Sequence, residues 1–295
     1  MTKGLILSGG WGTRLRPLTC TIPKTLIPIV NKPVMERQIL LLKDAGVKEI
    51  VLAVSVMSDL IQDYFRNGSK LGVIINYTDE TFPAGTAGAL KLAEDYLKGD
   101  NFFMLNGDVI LNFDFSKMAE FHKKSGGIGT IASKIVDDPS RYGVLITDPK
   151  TNKIYKFLEK ENYKPSDSMN SKMPINAGVY LLEPEILSII PKNKKISIER
   201  EVFPSVAEDK DLYHYPIEGI WKDIGTPYEL MEGNFLLMRE LLADQKLSLK
   251  NNLKIDSSSK IQEPCAIGEY VIIKKNCTIG PNAIIGDNVF IDENS

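Results

Sequence analysis

Residues 4–34 read GLILSGGWGTRLRPLTCTIPKTLIPIVNKPV, an apolar run that breaks into a glycine-rich, doubly basic loop and then a proline-flanked lysine. Leu5 to Leu7 carry the pattern of a buried strand. Gly9, Gly10 and Gly12 allow the backbone after it to bend with its N–H groups turned inward on anionic oxygens. Arg14 and Arg16 add permanent positive charge. Pro23 and Pro28 stiffen the segment that carries Lys24, so its ammonium meets the same anion from the opposite wall with little entropy left to lose. Strand, glycine turn and convergent cations together predict a nucleoside triphosphate phosphate site at the start of an α/β fold. No Gly-x4-Gly-Lys-Ser/Thr run occurs, so the site is not a P-loop.

Working outward, apolar runs rich in Val and Ile near 49–55, 72–78 and 102–107 join 4–8 as expected strands. Helical patterns near 33–45, 58–66, 86–97 and 116–125 fill the spaces between them at crossover length. This alternation predicts a doubly wound, Rossmann-like mixed sheet. Its ligands should gather beyond the carboxyl ends of the strands, in the loops after Leu7, Tyr77 and Leu105. From Tyr142 to about Leu182 the chain reads as a mixed insertion, opening with a hairpin that turns through 148–152 into Ile154–Lys160. An amphipathic helix over 227–245 closes a first domain, 1–245, and its Met and Leu stripe reads as core.

The tail, 246–295, changes period. Ile255, Ile261, Ile267, Ile273, Ile279, Ile285 and Ile291 recur every six residues, with Cys265, Val271, Cys277, Ala283 and Val289 two places before an isoleucine. Asn276, Asn282, Asn288 and Asn294 mark corners, where left-handed backbone suits asparagine. A short left-handed parallel β-helix is expected, with residues eighteen apart stacked, Ile267 against Ile285 and Ile273 against Ile291. The repeat is still in phase at Asp292-Glu-Asn-Ser. An open solenoid end exposes backbone and apolar edges, so a longer natural chain or a covering subunit is expected.

With 295 residues, 43% apolar and 25% charged, the chain has the composition of a soluble globular protein with one large core and a small second unit. A net charge of −2 supplies no broad basic field for nucleic acid or an anionic membrane. No apolar run reaches membrane-span length and the N-terminus has no signal-peptide form, which points to the cytoplasm. Cys20, Cys265 and Cys277 lie in no metal-binding spacing and read as small packing residues. Of the two histidines, His122 sits in a polar helical segment and reads as solvated, whereas His214 reads as a strand residue.

The run Gly-Gly-x-Gly-Thr-Arg-Leu-Arg-Pro-Leu-Thr, followed by Pro-Lys-x-Leu-x-Pro-Ile and Asn-Lys-Pro, resembles the signature of nucleotidyltransferases that join a nucleoside triphosphate to a sugar 1-phosphate. The Phe82-Pro-Ala-Gly-Thr-Ala-Gly, Arg141-Tyr-Gly-Val, Ile175-Asn-Ala-Gly-Val-Tyr and Ser197-Ile-Glu-Arg-Glu segments resemble the mannose-1-phosphate guanylyltransferases with a hexapeptide tail. That resemblance covers nearly the whole chain, departing at Gly107, at Lys222 and in the short tail. It implies attack of a sugar-phosphate oxygen on the α-phosphorus with pyrophosphate leaving, a reaction governed by positioning and charge neutralisation. It also implies that Arg14 and Lys24 serve the phosphates and that Leu7, Gly9, Gly10, Gly12, Thr13, Gly85 and Thr86 line the nucleotide. Asp108 and Asp223 would hold Mg²⁺, a hard cation suited to two carboxylates and phosphate oxygens. On the sugar side, Gly143, Glu159, Lys160 and Asn176 would face the hydroxyls and phosphate.

Glu80 stands five residues before Gly85, where thymidylyl and uridylyl relatives tend to carry Gln. A carboxylate only accepts hydrogen bonds, and guanine presents N1–H and its 2-amino group side by side, whereas uracil and thymine present one N–H between carbonyls. GTP is thereby favoured, with a helix-approach charge pointing to water as the plainer alternative. A glucose-1-phosphate thymidylyl- or uridylyltransferase and a non-catalytic regulatory homologue stay open as alternatives. An acyltransferase role for the tail is disfavoured, because both histidines lie outside it. A homo-oligomer formed through the β-helix is expected.

Overall fold

A computed structural model describes residues 2–80, 82–162, 172–208, 211–243 and 252–295. Its main sheet runs in the order 154–158, 144–147, 173–182, 102–106, 3–8, 49–54, 74–79, with 129–136 pairing 173–182 and carrying 212–216 on its other edge. The strands Lys3–Ser8, Glu49–Val54, Ile74–Asp79 and Phe102–Asn106 are mutually parallel, and Met173–Leu182 joins antiparallel to Phe102–Asn106. Two of these parallel strands lie on one side of Lys3–Ser8 and one on the other, so the winding reverses between Lys3–Ser8 and Phe102–Asn106. A crevice opens at such a reversal, at the carboxyl ends of the strands.

Alternation along the strands splits the core between the two faces of the sheet. Leu5, Phe102 and Met104 belong to one apolar cluster, while Ile6, Phe103 and Leu105 belong to the other. The expected helix over 86–97 is instead two pieces, Gly85–Leu92 and Glu94–Leu97, because Ala93 at φ −85°, ψ 1° leaves the helical range. The expected hairpin is present as Val144–Thr147 against Ile154–Leu158. Residues 163–171 of the expected insertion and the expected boundary at 245/246 lie outside the described residues. The closing helix spans Pro227–Ala243; Leu237 and Met238 are buried, but Met231 and Leu236 face solvent, so only part of the stripe is core.

The tail forms short parallel strands in the pattern of a left-handed β-helix. Ile267 pairs with Ile285, Ile273 with Ile291 and Ile261 with Ile279, each eighteen residues apart. Cys265, Val271 and Cys277 fill the same apolar interior as the isoleucines. Asn276, Asn282, Asn288 and Asn294 all have positive φ, and Tyr270 takes the same geometry at a fifth corner. Cys20, by contrast, is exposed and fills no core position. The coils meet the rest of the chain where Ile29, Val30 and the closing helix pack against Ala266 and Ile284. There Asn31 Nδ2 donates to the Ile285 carbonyl at 2.6 Å.

Candidate active site

A cavity of about 460 Å³ lies at the winding reversal, lined among others by Leu7, Ser8, Gly9, Gly10, Lys24 and Asp108. The glycines in the first loop have different reasons to be there. Gly12 alone of the three takes a left-handed conformation, at φ 58°, and a Cβ on it would sit 2.9 Å from Thr19 Cγ2 and 3.2 Å from Lys24 Cβ. A Cβ on Gly9 would crowd Glu80 Oε1 at 3.1 Å, whereas Gly10 borders open space. Ser8 Oγ and Thr25 Oγ1, 2.8 Å apart, tie the first strand to the lysine segment.

Lys24 is the pivot of the charged groups. Its Nζ donates to Asp108 Oδ2 at 2.6 Å and lies 3.9 Å from Asp223 Oδ1. Asp223 ends the strand Ile220–Asp223, which pairs antiparallel with Val109–Asn112, and stands opposite Val109, the residue after the turn that carries Asp108. Burial pushes the Asp223 carboxyl above its ordinary value, and the Asp108 charge adds to that push, while Lys24 and Arg14 offset part of it. Two carboxylates converging on one point, with an ammonium already between them, suit a small hard cation there. Among the described residues no third carboxylate, histidine or cysteine completes a protein cage, so phosphate or water oxygens would supply the other ligands.

Glu80 follows the strand Ile74–Asp79 and turns into the cavity rather than out to water. Its Oε2 accepts the Ala84 N–H at 3.3 Å, and burial raises its carboxyl, partly offset by that hydrogen bond. Gly85 is fixed by φ 74° and by the Ile196 carbonyl, which would stand 2.5 Å from any Cβ. Thr86 lines the cavity with its hydroxyl committed elsewhere: Oγ1 donates to Glu199 Oε2 at 2.6 Å and accepts the Ile198 N–H at 2.8 Å.

A model of the nucleotidyl transferase family matches residues 3–240. The chain belongs to that family. It is 46% identical over 257 residues to mannose-1-phosphate guanyltransferase of Saccharomyces cerevisiae, a match covering 86% of this chain and 69% of the yeast protein. A putative glucose-1-phosphate thymidylyltransferase from Bacillus anthracis superposes with a TM-score of 0.71 at 27% identity, covering 80% of this chain and 95% of that one. HddC from Yersinia pseudotuberculosis, complexed with GMP-PN, superposes at 0.65 with 29% identity, over 80% and 99%. Nucleotidyl transferases of this family work on a nucleoside triphosphate and a sugar 1-phosphate and generally use a divalent metal.

In this nucleotidyl transferase the remaining expected site residues lie outside the lining of that cavity, and Glu159 lines a separate hollow with Phe157, Asn162 and Arg200. Thr13 and Arg14 occupy an exposed single turn after Gly12. The Arg14 guanidinium passes close to Gly225, where a Cβ would meet its Nη2 at 2.9 Å and Glu229 Oε2 at 3.0 Å. Gly143, Glu159 and Asn176 come together on the sheet: Asn176 N–H donates to the Gly143 carbonyl at 2.8 Å, and a Cβ on Gly143 would lie 3.6 Å from Glu159 Oε2. Lys160 follows Glu159 and is exposed.

Arg141 and Glu199 lie in segments that carry the family resemblance, but their partners come only with the fold. Glu199 accepts from Thr86, from Ser197 Oγ at 2.7 Å and from Tyr180 OH at 3.3 Å, and Asn176 Nδ2 donates to Tyr180 OH at 2.9 Å. The Gly85–Thr86 segment and the strand Met173–Leu182 are thereby joined through one carboxylate. Glu229 Oε1 accepts Arg141 Nη2 at 2.7 Å, and the Glu229 N–H donates to Thr226 Oγ1 at 3.3 Å at the start of the closing helix. Trp11 and Lys195 also line the cavity. His122, expected in solvent, is buried between Thr130 Oγ1 at 2.8 Å and Glu183 Oε1 at 3.0 Å, and burial lowers its pKa despite that carboxylate.

Among the described residues no helix is long and apolar enough to cross a membrane.

Proposed function

We propose that this protein is a mannose-1-phosphate guanylyltransferase, forming GDP-mannose and pyrophosphate from GTP and mannose 1-phosphate. The convergence of Asp108 and Asp223 on Lys24, with Lys24 and Asp108 lining the switch-point cavity, carries the reaction type. The choice of base and sugar is supported by the 46% identity to a mannose-1-phosphate guanyltransferase, by the guanine-nucleotide analogue in the Yersinia structure, and by Glu80 turned into the cavity.

In the reaction an oxygen of the sugar phosphate attacks the α-phosphorus, a new P–O bond forms, and the bond to the β-phosphate oxygen breaks with its electrons leaving on pyrophosphate. The N–H groups of the Gly9–Gly12 loop and the Arg14 guanidinium bind the triphosphate and stabilise charge growing on the leaving group. Lys24 exchanges its carboxylate partners for phosphate oxygens. Asp108 and Asp223 would hold Mg²⁺, which when bound neutralises and aligns the phosphate oxygens. Glu80 accepts guanine N1–H and the 2-amino group. Leu7, Thr13, Gly85 and Thr86 complete the nucleotide wall, and Gly143, Glu159, Lys160 and Asn176 orient the sugar phosphate.

We assign residues 1–245 to catalysis and 246–295 to an assembly module through which a cytoplasmic homo-oligomer forms. Pyrophosphate release from GTP and mannose 1-phosphate should require Mg²⁺ and disappear in Asp108→Ala and Asp223→Ala. Undiminished release in both variants would remove the carboxylate pair from the chemistry.

A further inference from the structure

Gln38 lies on the helix Val34–Asp44, is 1% exposed, and belongs to none of the segments assigned to substrate. Its side-chain nitrogen donates twice, to the Asn106 carbonyl at 2.9 Å and to the Val109 carbonyl at 2.9 Å. Those two carbonyls bracket Gly107-Asp108. A planar amide has two hydrogens in a fixed fork, so both bonds together set the separation of the two carbonyls and hold the turn between them closed. Two backbone bonds complete the clamp. Gly107 N–H donates to the Leu7 carbonyl at 3.0 Å, and the Asp108 carbonyl accepts Ile224 N–H at 3.3 Å, next to Asp223. Gly107 has no room for a side chain, since a Cβ there would stand 2.5 Å from the Leu7 carbonyl oxygen.

The acceptor end of the same amide is buried without a hydrogen-bond partner among the described residues. Such an orphan costs stability, and a methionine of similar length would avoid it. A core that needed only volume at this position would be better served by the apolar side chain. The amide's two donors are what methionine cannot supply.

We propose, resting on the assignment of Asp108 as a metal ligand, that Gln38 is a positioning residue: its amide clamps the Gly107-Asp108 turn so that Asp108 is presented to the divalent cation opposite Asp223. It touches neither substrate nor metal, and acts through the turn. The cost of the orphaned oxygen is retained because the clamp serves the site rather than the core.

The test is an electron paramagnetic resonance titration of Mn²⁺ into the full-length protein with saturating GTP, alongside kcat, KM and melting temperature. In Gln38→Met, Mn²⁺ affinity and kcat each fall about tenfold while KM for mannose 1-phosphate stays within about twofold, the scale seen when the support of a metal ligand is removed. Leu42→Ala, a core deletion on the same helix, lowers the melting temperature but leaves Mn²⁺ affinity unchanged. Should Gln38→Met not fold, Gln38→Asn, which withdraws the same amide by one methylene, gives the same reading. Mn²⁺ affinity equal to that of the parent in the folded variant overturns the clamp. A parent protein whose Mn²⁺ binding is unaffected by Asp108→Asn overturns the metal assignment itself, and the clamp with it.

Discussion

Replacing Glu80 by Gln changes one acceptor oxygen into an amide nitrogen at a carboxylate that is half-buried in the cavity and held by the Ala84 N–H. A guanine placed against Glu80 donates two hydrogen bonds to a charged acceptor. Each bond of that kind is worth about 1.5–3 kcal/mol, and the amide retains one acceptor while turning N–H groups toward N–H groups. The net loss is about 2–4 kcal/mol, which is roughly a 30- to 1,000-fold fall in kcat/KM for GTP. UTP and dTTP offer a carbonyl beside their single N–H, which an amide can pair, so their kcat/KM changes by only about a fewfold. The ratio of GTP to UTP turnover in Glu80→Gln, measured by pyrophosphate release under subsaturating nucleotide, reads the difference directly. Equal losses for both nucleotides would refute the reasoning and return Glu80 to the role of a helix-approach charge.

Asp223→Asn should abolish most activity, by roughly 10²-fold or more, yet raise the melting temperature at neutral pH. The folded carboxyl is pushed up by burial and by Asp108, so stability is lost as pH rises from the ordinary carboxylate range through the raised value, and the amide escapes that loss. Thermal melts from acid to neutral pH check the sign; a lower melting temperature for the variant at pH 7 would contradict it. His214 has its pKa lowered to about 4 by burial, so the unfolded chain takes up the proton first and stability falls as pH drops from 6.5 toward 4. The loss amounts to about 3 kcal/mol at the acid end, and urea midpoints at pH 7 and pH 5 should diverge less in His214→Gln. Gly85→Ala places a Cβ 2.5 Å from the Ile196 carbonyl at φ 74°, and should cost about 2–4 kcal/mol in denaturant unfolding; an unchanged midpoint would show that the loop yields.

Periodicity and turn chemistry made much of the fold legible in the sequence. The eighteen-residue register of the tail follows from a six-residue repeat closing a three-sided coil, and Ile267 with Ile285 pairs as that period requires. The glycine loop after Leu7 could be placed at the strand end because few other arrangements use three glycines and two arginines in succession. Residues whose partners come from distant elements were not legible. His122 is surrounded in sequence by charged neighbours, and only the fold brings Glu183, sixty-one residues away, to its ring. Gln38 looks like any polar residue of an amphipathic helix until Asn106 and Val109 arrive beneath it, and Glu199 is likewise defined by Thr86 and Tyr180. Local pattern placed the strands and the repeat, but which way His122 faces, like the identity of a side chain's hydrogen-bond partner, is a property of the assembled fold.

The central claim is tested most directly by offering the protein, with Mg²⁺, an equimolar mixture of GTP, UTP, dTTP and ATP together with mannose, glucose and N-acetylglucosamine 1-phosphates, and identifying the products by mass spectrometry. GDP-mannose should dominate, and it should be absent with Asp108→Ala. Dominance of any other NDP-sugar would contradict the assignment of base and sugar while keeping the reaction. No NDP-sugar from well-folded protein would contradict catalysis itself.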